Sequence, residues 1–335
     1  MKEETKKLFA LIDKFPLVKI AVWGDFILDE YLYGNTRRIS REAPVIILSY
    51  QNKELALGGA GNSLLNLKSL GADPVPIGVI GPDESGRAIQ RILKKCGVST
   101  SHLLVEKGYA TPLKTRILAG EENTKKQQIL RIDREGHVPE TAGLKQKILR
   151  SLQKAWKACD ALLISDYHYR TVKEDLYQKA LPWFKKSRMP VALDSRFRLL
   201  RFHGATVATP NEPEVEEALK TRIDDDPAAL RRAGRDLLKK LRSPALLITR
   251  GSRGMALFEK GKPPFHLPIF GTANIVDVTG AGDTVISVMT AALACGATFQ
   301  QAARLANYAG GIVVMKKGTA TVTPLELKQA IVSEN

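Results

Sequence analysis

The chain has 335 residues, 44% hydrophobic and 26% charged, ordinary for a globular protein and enough for one large α/β domain or two smaller ones. No apolar run reaches the roughly 18 residues of a membrane-spanning helix, and the mixed-charge residues 1–7 followed by Asp13, Lys14 and Pro16 are not a signal peptide. The formal charge of +16 admits anionic partners, but Lys and Arg are spread along the whole chain without a nucleic-acid module, so the expectation is a solvated basic surface that attracts small anionic substrates, with no nucleic acid and no membrane as partner.

In chain order, residues 18–23 are an apolar β-type run ending at Gly24-Asp25. Residues 44–50 and 54–57 read as a pair of strands, 59–70 as a helix with a small-residue start, and 74–80 as a strand. A helix is predicted over 84–96, stopping at Gly97; strands over 113–119 and 128–132; and a helix over 144–158. Short apolar strands at 161–165, 191–193, 206–208 and 245–249 then alternate with helices at 173–186, 212–219 and 227–241. Cys96, Cys159 and Cys295 are far apart with no CxxC pair or His cluster, as expected of reduced, partly buried thiols in a cytoplasmic protein.

This alternation predicts an α/β fold, a mostly parallel central sheet with helices on both faces. Ligands in such folds bind beyond the C-terminal ends of the strands, where Gly24-Asp25, Asp166, Asp194, Asn211 and Arg250-Gly251 fall. The β-type pieces around 36–57 and 101–132 interrupt the pattern and suggest a small β lid on a single domain spanning 1–335.

The octamer Asp277-Val278-Thr279-Gly280-Ala281-Gly282-Asp283-Thr284 carries the chemistry. Two glycines permit a tight turn, and the Ala-, Val- and Met-rich segment behind them reads as a helix. Free backbone N–H groups and the positive end of the helix dipole then form an anion site. Asp283 lies inside it, where its carboxylate could take a proton from an attacking hydroxyl. Gly-Ala-Gly-Asp also fits an ordinary helix N-cap.

With Gly58-Gly59-Ala60-Gly61-Asn62, Leu70-Gly71-Ala72 and Ile77–Asp83 on one side and this octamer on the other, the chain resembles the ribokinase-like (PfkB) carbohydrate kinases from about residue 17 to 327. Within that family, residues 24–31, 38–45, 130–133, 165–167, Thr209–Glu214 and Gly318-Thr319 are similar to the heptose-7-phosphate kinases. Those usually continue into a nucleotidyltransferase domain, and this chain resembles the stand-alone form. The resemblance implies a ribokinase-like fold and transfer of the γ-phosphoryl of Mg·ATP to a sugar phosphate, the expected acceptor being C1 of D-glycero-D-manno-heptose 7-phosphate. It also implies a monovalent cation such as K⁺ and a homodimer formed through the lid.

The resemblance makes Asp283 the general base and gives Gly280, Ala281 and Gly282 the role of anion hole. It places Asp25, Asp29, Gly58, Gly59, Asn62 and Asp166 at the sugar, although Asp29 could be a solvated turn residue. Lys114, Arg116 and Arg131 are the candidates for gripping a substrate phosphate; the first two sit two apart in a strand and face one side. Asn211 and Glu214 match a motif that orders Mg²⁺, and they equally fit a helix cap with its capping-box Glu. Thr249, Arg250, Gly251, Gly254 and Asn307 fall on the nucleotide side, and Asp277 at the monovalent-cation site. No Walker A sequence is present. Two family lysines are missing: Tyr169-Arg170 replaces Lys-Gly, and Ser195-Arg196 replaces Pro-Lys.

Overall fold

The computed structural model describes residues 3–121, 124, 126–271 and 275–334. Helix α1 (Glu3–Ile12) lays Leu8, Leu11 and Ile12 on the core ahead of β1 (Lys19–Gly24), buried over its last five residues. Two long strands follow, β2 (Phe26–Ile39) and β3 (Ile46–Gly59), then α2 (Ala60–Ser69), β4 (Asp73–Ile80) and α3 (Glu84–Lys95). The carboxylate of Asp83 caps α3 by accepting the Gly86 amide at 2.8 Å. Next come β5 (Leu103–Val105), β6 (Leu113–Gly120), β7 (Gln127–Arg134), α4 (Ala142–Ala158), β8 (Ala161–Asp166), α5 (Glu174–Lys186), β9 (Val191–Ser195) and β10 (Val207–Ala208). The chain ends through α6 (Glu212–Leu219), α7 (Pro227–Leu241), β11 (Ala245–Thr249), β12 (Met255–Glu259), β13 (Phe265–Leu267), α8 (Ala281–Ala294), α9 (Phe299–Val313) and α10 (Pro324–Ser333).

Among the described residues, nine strands form one sheet in the order β13-β12-β11-β10-β9-β8-β1-β4-β5. Pairing is parallel from β5 to β11 and antiparallel at β12 and β13. The chain leaves β1 first toward β4 and later, on its other side, toward β8, so the strand order reverses at β1. Such a reversal opens a crevice at the C-terminal strand ends, where Asp25 follows β1. Strand alternation divides the core. Ile20 and Val22 pack on the face covered by α1, α2, α8 and α9, and Ala21 and Trp23 on the face covered by α4, α5 and α7. This is the ribokinase-like α/β architecture.

A second sheet, β3-β2-β6-β7, stands beside the first. The pair of strands expected at 44–50 and 54–57 is one strand, β3, because hydrogen bonding to β2 runs past Lys53 and Glu54 on an exposed face. Of the 101–132 stretch, residues 103–105 pair with β4 in the large sheet, and 122, 123 and 125 lie outside the described residues. Every residue of β7 is exposed, including Ile129, Leu130 and Ile132. Among the described residues no helix is long and apolar enough to cross a membrane.

Candidate active site

The octamer forms the start of α8. Gly280 caps it at φ 78°, a left-handed conformation that favours glycine, and a Cβ there would run into the side-chain amide of Asn62. A Cβ on Gly282 would meet nothing within 4 Å, so the first turn faces open space. Ala281 departs from the expected anion hole. Its amide donates to the Val278 carbonyl at 3.2 Å, which leaves Gly280 and Gly282 as the candidate donors of the expected set.

Asp283 lies in that first turn and is 3% exposed. Its Oδ2 accepts from Asn62 Nδ2 at 2.9 Å, and its Oδ1 from Tyr167 Oη at 3.2 Å and Ser63 Oγ at 3.4 Å. Burial is the largest influence on this carboxyl and pushes its pKa up to about 6; the hydrogen bonds from Asn62 and Tyr167 pull it back. A carboxylate poised near neutrality suits a general base.

Asn62 and Asp25, expected at the sugar, are both fully buried and committed to the protein. Asn62 donates to Asp283 and accepts from Asn66 Nδ2 at 3.3 Å, and Asn66 in turn accepts from Thr284 Oγ1 at 3.0 Å. It holds the Asp283 carboxylate with its amide; the Asn62/Asn66 spacing of four along one helix is the signal that could have shown this. The Asp25 carboxylate accepts three backbone amides of the loop after β8: Tyr167 at 2.9 Å, Tyr169 at 3.0 Å and Thr171 at 3.0 Å. Burial, then the Asp166 charge, raises Asp25 to about 6. Its carboxylate holds that loop.

Asp29 is buried and ion-paired with Arg116 at 2.5 Å, which also lies 5.3 Å over the Tyr31 ring. Glycine is required at position 58 because a Cβ there would press on Asp29 Oδ2, and Gly59 (φ 57°) has Asp25 O in the same position. Arg131, the cross-strand neighbour of Arg116, is exposed and pairs with Asp133 at 2.9 Å. Lys114 reaches the site itself. Its ammonium is 5.8 Å over the ring of Tyr167, and burial lowers its pKa while Asp29 opposes that.

Asp166 is not free for a substrate either. Its carboxylate accepts from Arg198 at 2.5 and 3.3 Å and from Ser195 Oγ at 2.7 Å. Arg198, not singled out in the sequence, thereby ties the loop after β9 to the end of β8. At the first missing-lysine position, Tyr169 donates its hydroxyl to Glu135 at 3.0 Å.

Thr249, Gly251, Gly254 and Asn307, expected on the nucleotide side, line an apolar pocket of about 150 Å³ that ends at Ala281 and Gly282. Asn307 donates to the Pro268 carbonyl at 2.8 Å. Arg250 turns elsewhere: its Nε donates to Glu212 at 2.6 Å, and Arg253 takes the other oxygen, so this pair braces α6. Asn211 and Glu214 form the reciprocal capping box of α6, each bond 2.9 Å. Burial raises the pKa of Glu214 and, more strongly, that of Asp194, on which the Glu214 and Asp283 charges also act. The Arg196 charge acts on Lys114, Tyr167, Asp194 and Glu214 alike. Asp277 accepts the amides of Thr279 at 2.9 Å and Gly318 at 3.0 Å; burial raises its pKa, but these bonds prevail and it is lowered. Among the described residues no group of three or more His, Cys, Asp or Glu could hold a metal, so Glu214 and Asp277 are not part of an all-protein cage.

The model of the pfkB family of carbohydrate kinases matches residues 18–326. The bifunctional protein HldE of Geobacter metallireducens is 39% identical over 97% of this chain and 65% of its own length. The HldE of Nitrosococcus oceani is 40% identical over 95% of this chain and 64% of its own. The chain thus spans slightly under two thirds of the length of these relatives. Arabidopsis thaliana ribokinase complexed with ribose and ATP shares the fold, with a TM-score of 0.70 and 20% identity over 94% of this chain and 98% of that one. So does Escherichia coli phosphofructokinase-2 in complex with fructose-6-phosphate, with a TM-score of 0.74 and 16% identity over 94% of this chain and 99% of that one. A buried aspartate at a glycine-rich helix start, the matching fold and the family match over most of the sequence agree, and the chain belongs to the pfkB family of carbohydrate kinases.

Proposed function

We propose that the protein transfers the γ-phosphoryl of ATP to the C1 hydroxyl of D-glycero-D-manno-heptose 7-phosphate, a step toward ADP-heptose. The observation that carries the kinase reading is Asp283, buried with its pKa near 6 at the open first turn of α8, between the apolar pocket and Lys114. Asp283 accepts the hydroxyl proton as the sugar oxygen bonds to the γ-phosphorus and the bond to the β-phosphate oxygen breaks, releasing ADP. The Gly280 and Gly282 amides and the dipole of α8 bear the charge in flight. Lys114, Arg131 and Arg196 would receive the phosphate already on the sugar.

Burial raises both Asp194 and Glu214, with the Glu214 charge adding to the rise at Asp194, and two such carboxylates fit a divalent cation. These two would hold the Mg²⁺ that accompanies ATP and supplies charge neutralisation on its phosphates; Asp277 would face the monovalent cation. The small sheet would close as a lid that excludes water. Its exposed apolar residues Ile129, Leu130 and Ile132 support pairing of two lids in a homodimer. The heptose assignment rests on the segments shared with heptose kinases and on the HldE relatives; another sugar phosphate is the second reading, favoured by the two absent lysines.

The test is ADP release with Mg·ATP across a panel of sugars and sugar phosphates, for the wild type and Asp283→Asn. Turnover confined to heptose 7-phosphate and reduced about 10³-fold or more in the variant, with ATP binding retained, is expected. Turnover on a different sugar moves the substrate, and full turnover in Asp283→Asn sinks the base assignment.

A further inference from the structure

A cavity of about 810 Å³ opens between the start of α5, the loop after β9 and α6. It meets the site described above through Arg196, Arg198 and Glu214; neither Asp283 nor the small sheet lines it. Lys173, the residue before α5, lines it and is 4% exposed, yet its ammonium makes no hydrogen bond. A buried cation without hydrogen-bond partners is costly and calls for a ligand. The carboxylate of Glu140 stands 3.9 Å from it, 3.9 Å from Arg170 and 4.0 Å from Lys145. Three cations therefore converge on one carboxylate, each too far for a good hydrogen bond. Lys145 has a second partner in Asp175 at 3.1 Å, and the Glu140 side chain is largely exposed.

The backbone also favours this convergence. His168 and Arg170 both adopt positive φ, 70° and 69°, unusual for residues with side chains. Asp25 holds the inner edge of that loop through its three amide bonds, and Arg170 is presented on the outer side with Lys173.

We propose that this cavity is an accessory binding site for a phosphate-bearing small molecule, whose phosphate displaces Glu140 from among Lys145, Arg170 and Lys173. A tetrahedral dianion offers more acceptors than a carboxylate and can bond to all three cations at once. Glu140 acts as a built-in competitor for the site.

The experiment is calorimetric titration of the full chain with inorganic phosphate, without nucleotide or sugar. Lys173→Met and Arg170→Met are expected to weaken binding about tenfold or more, as loss of a charge-assisted hydrogen bond does. Glu140→Gln is expected to tighten it severalfold. No binding by the wild type, or binding indifferent to both Arg170→Met and Glu140→Gln, overturns the proposal. These last two replace exposed side chains, so they decide the matter even if Lys173→Met fails to fold. In parallel arms, displacement of phosphate by AMP or by a hexose phosphate supports the site and identifies the kind of ester it takes; displacement by neither overturns the small-molecule reading.

Discussion

Asp283 carries two opposite obligations. As the proposed base it must be ionised, so kcat/KM should fall as pH drops through about 6, with a slope of one proton. As a buried group it resists ionisation. Its folded pKa of about 6 lies above the ordinary 3.8, so relative stability is full below about pH 4 and lost as pH rises through 6. Asp283→Asn should therefore be more stable than the wild type by about 3 kcal/mol at pH 8, with the gap closing below about pH 4 in denaturant titrations. Equal stability at both pH values would contradict the burial argument. Asp25 differs because its carboxylate feeds three backbone amides. Asp25→Ala orphans all three and should cost about 3–5 kcal/mol in chemical denaturation. The octamer was legible in the sequence because its function depends on neighbours in the chain. Asp25, Asn62 and Asp166 were legible as important but not as inward-facing, since a polar residue beside glycines can serve a ligand or a backbone. What it serves depends on residues more than 25 positions away, such as Arg198 for Asp166.

At the scale of elements, the helices and parallel strands were readable because each has one dominant period and clear terminators such as Gly97. The small sheet was harder. Its strands bury little on one face, so the apolar alternation that marks a strand is broken by Lys53 and Glu54, and β3 looks like two pieces. The contact between α2 and α8 has a sharp requirement: Gly280 must be left-handed and lack a Cβ where Asn62 approaches. Gly280→Ala should lower kcat by about tenfold or more while changing the affinity for ATP little, because the turn and Asn62 must shift together. Unchanged kcat would show that the turn is not held by this contact.

For the whole molecule, the proposed pairing of lids predicts a dimer in sedimentation velocity that Leu130→Glu converts to a monomer. A monomeric wild type at micromolar concentration would remove that proposal. Asp283, the proposed base, accepts a hydrogen bond from Asn62, 221 residues earlier, and Tyr167 lies 116 away. At about 5–20 residues per second of ribosomal synthesis, roughly 10–45 s separate the emergence of Asn62 from that of its partner. During that interval the half of the molecule proposed to face the sugar exists without Asp283. The proposed phosphoryl transfer would therefore be among the last properties a nascent chain acquires.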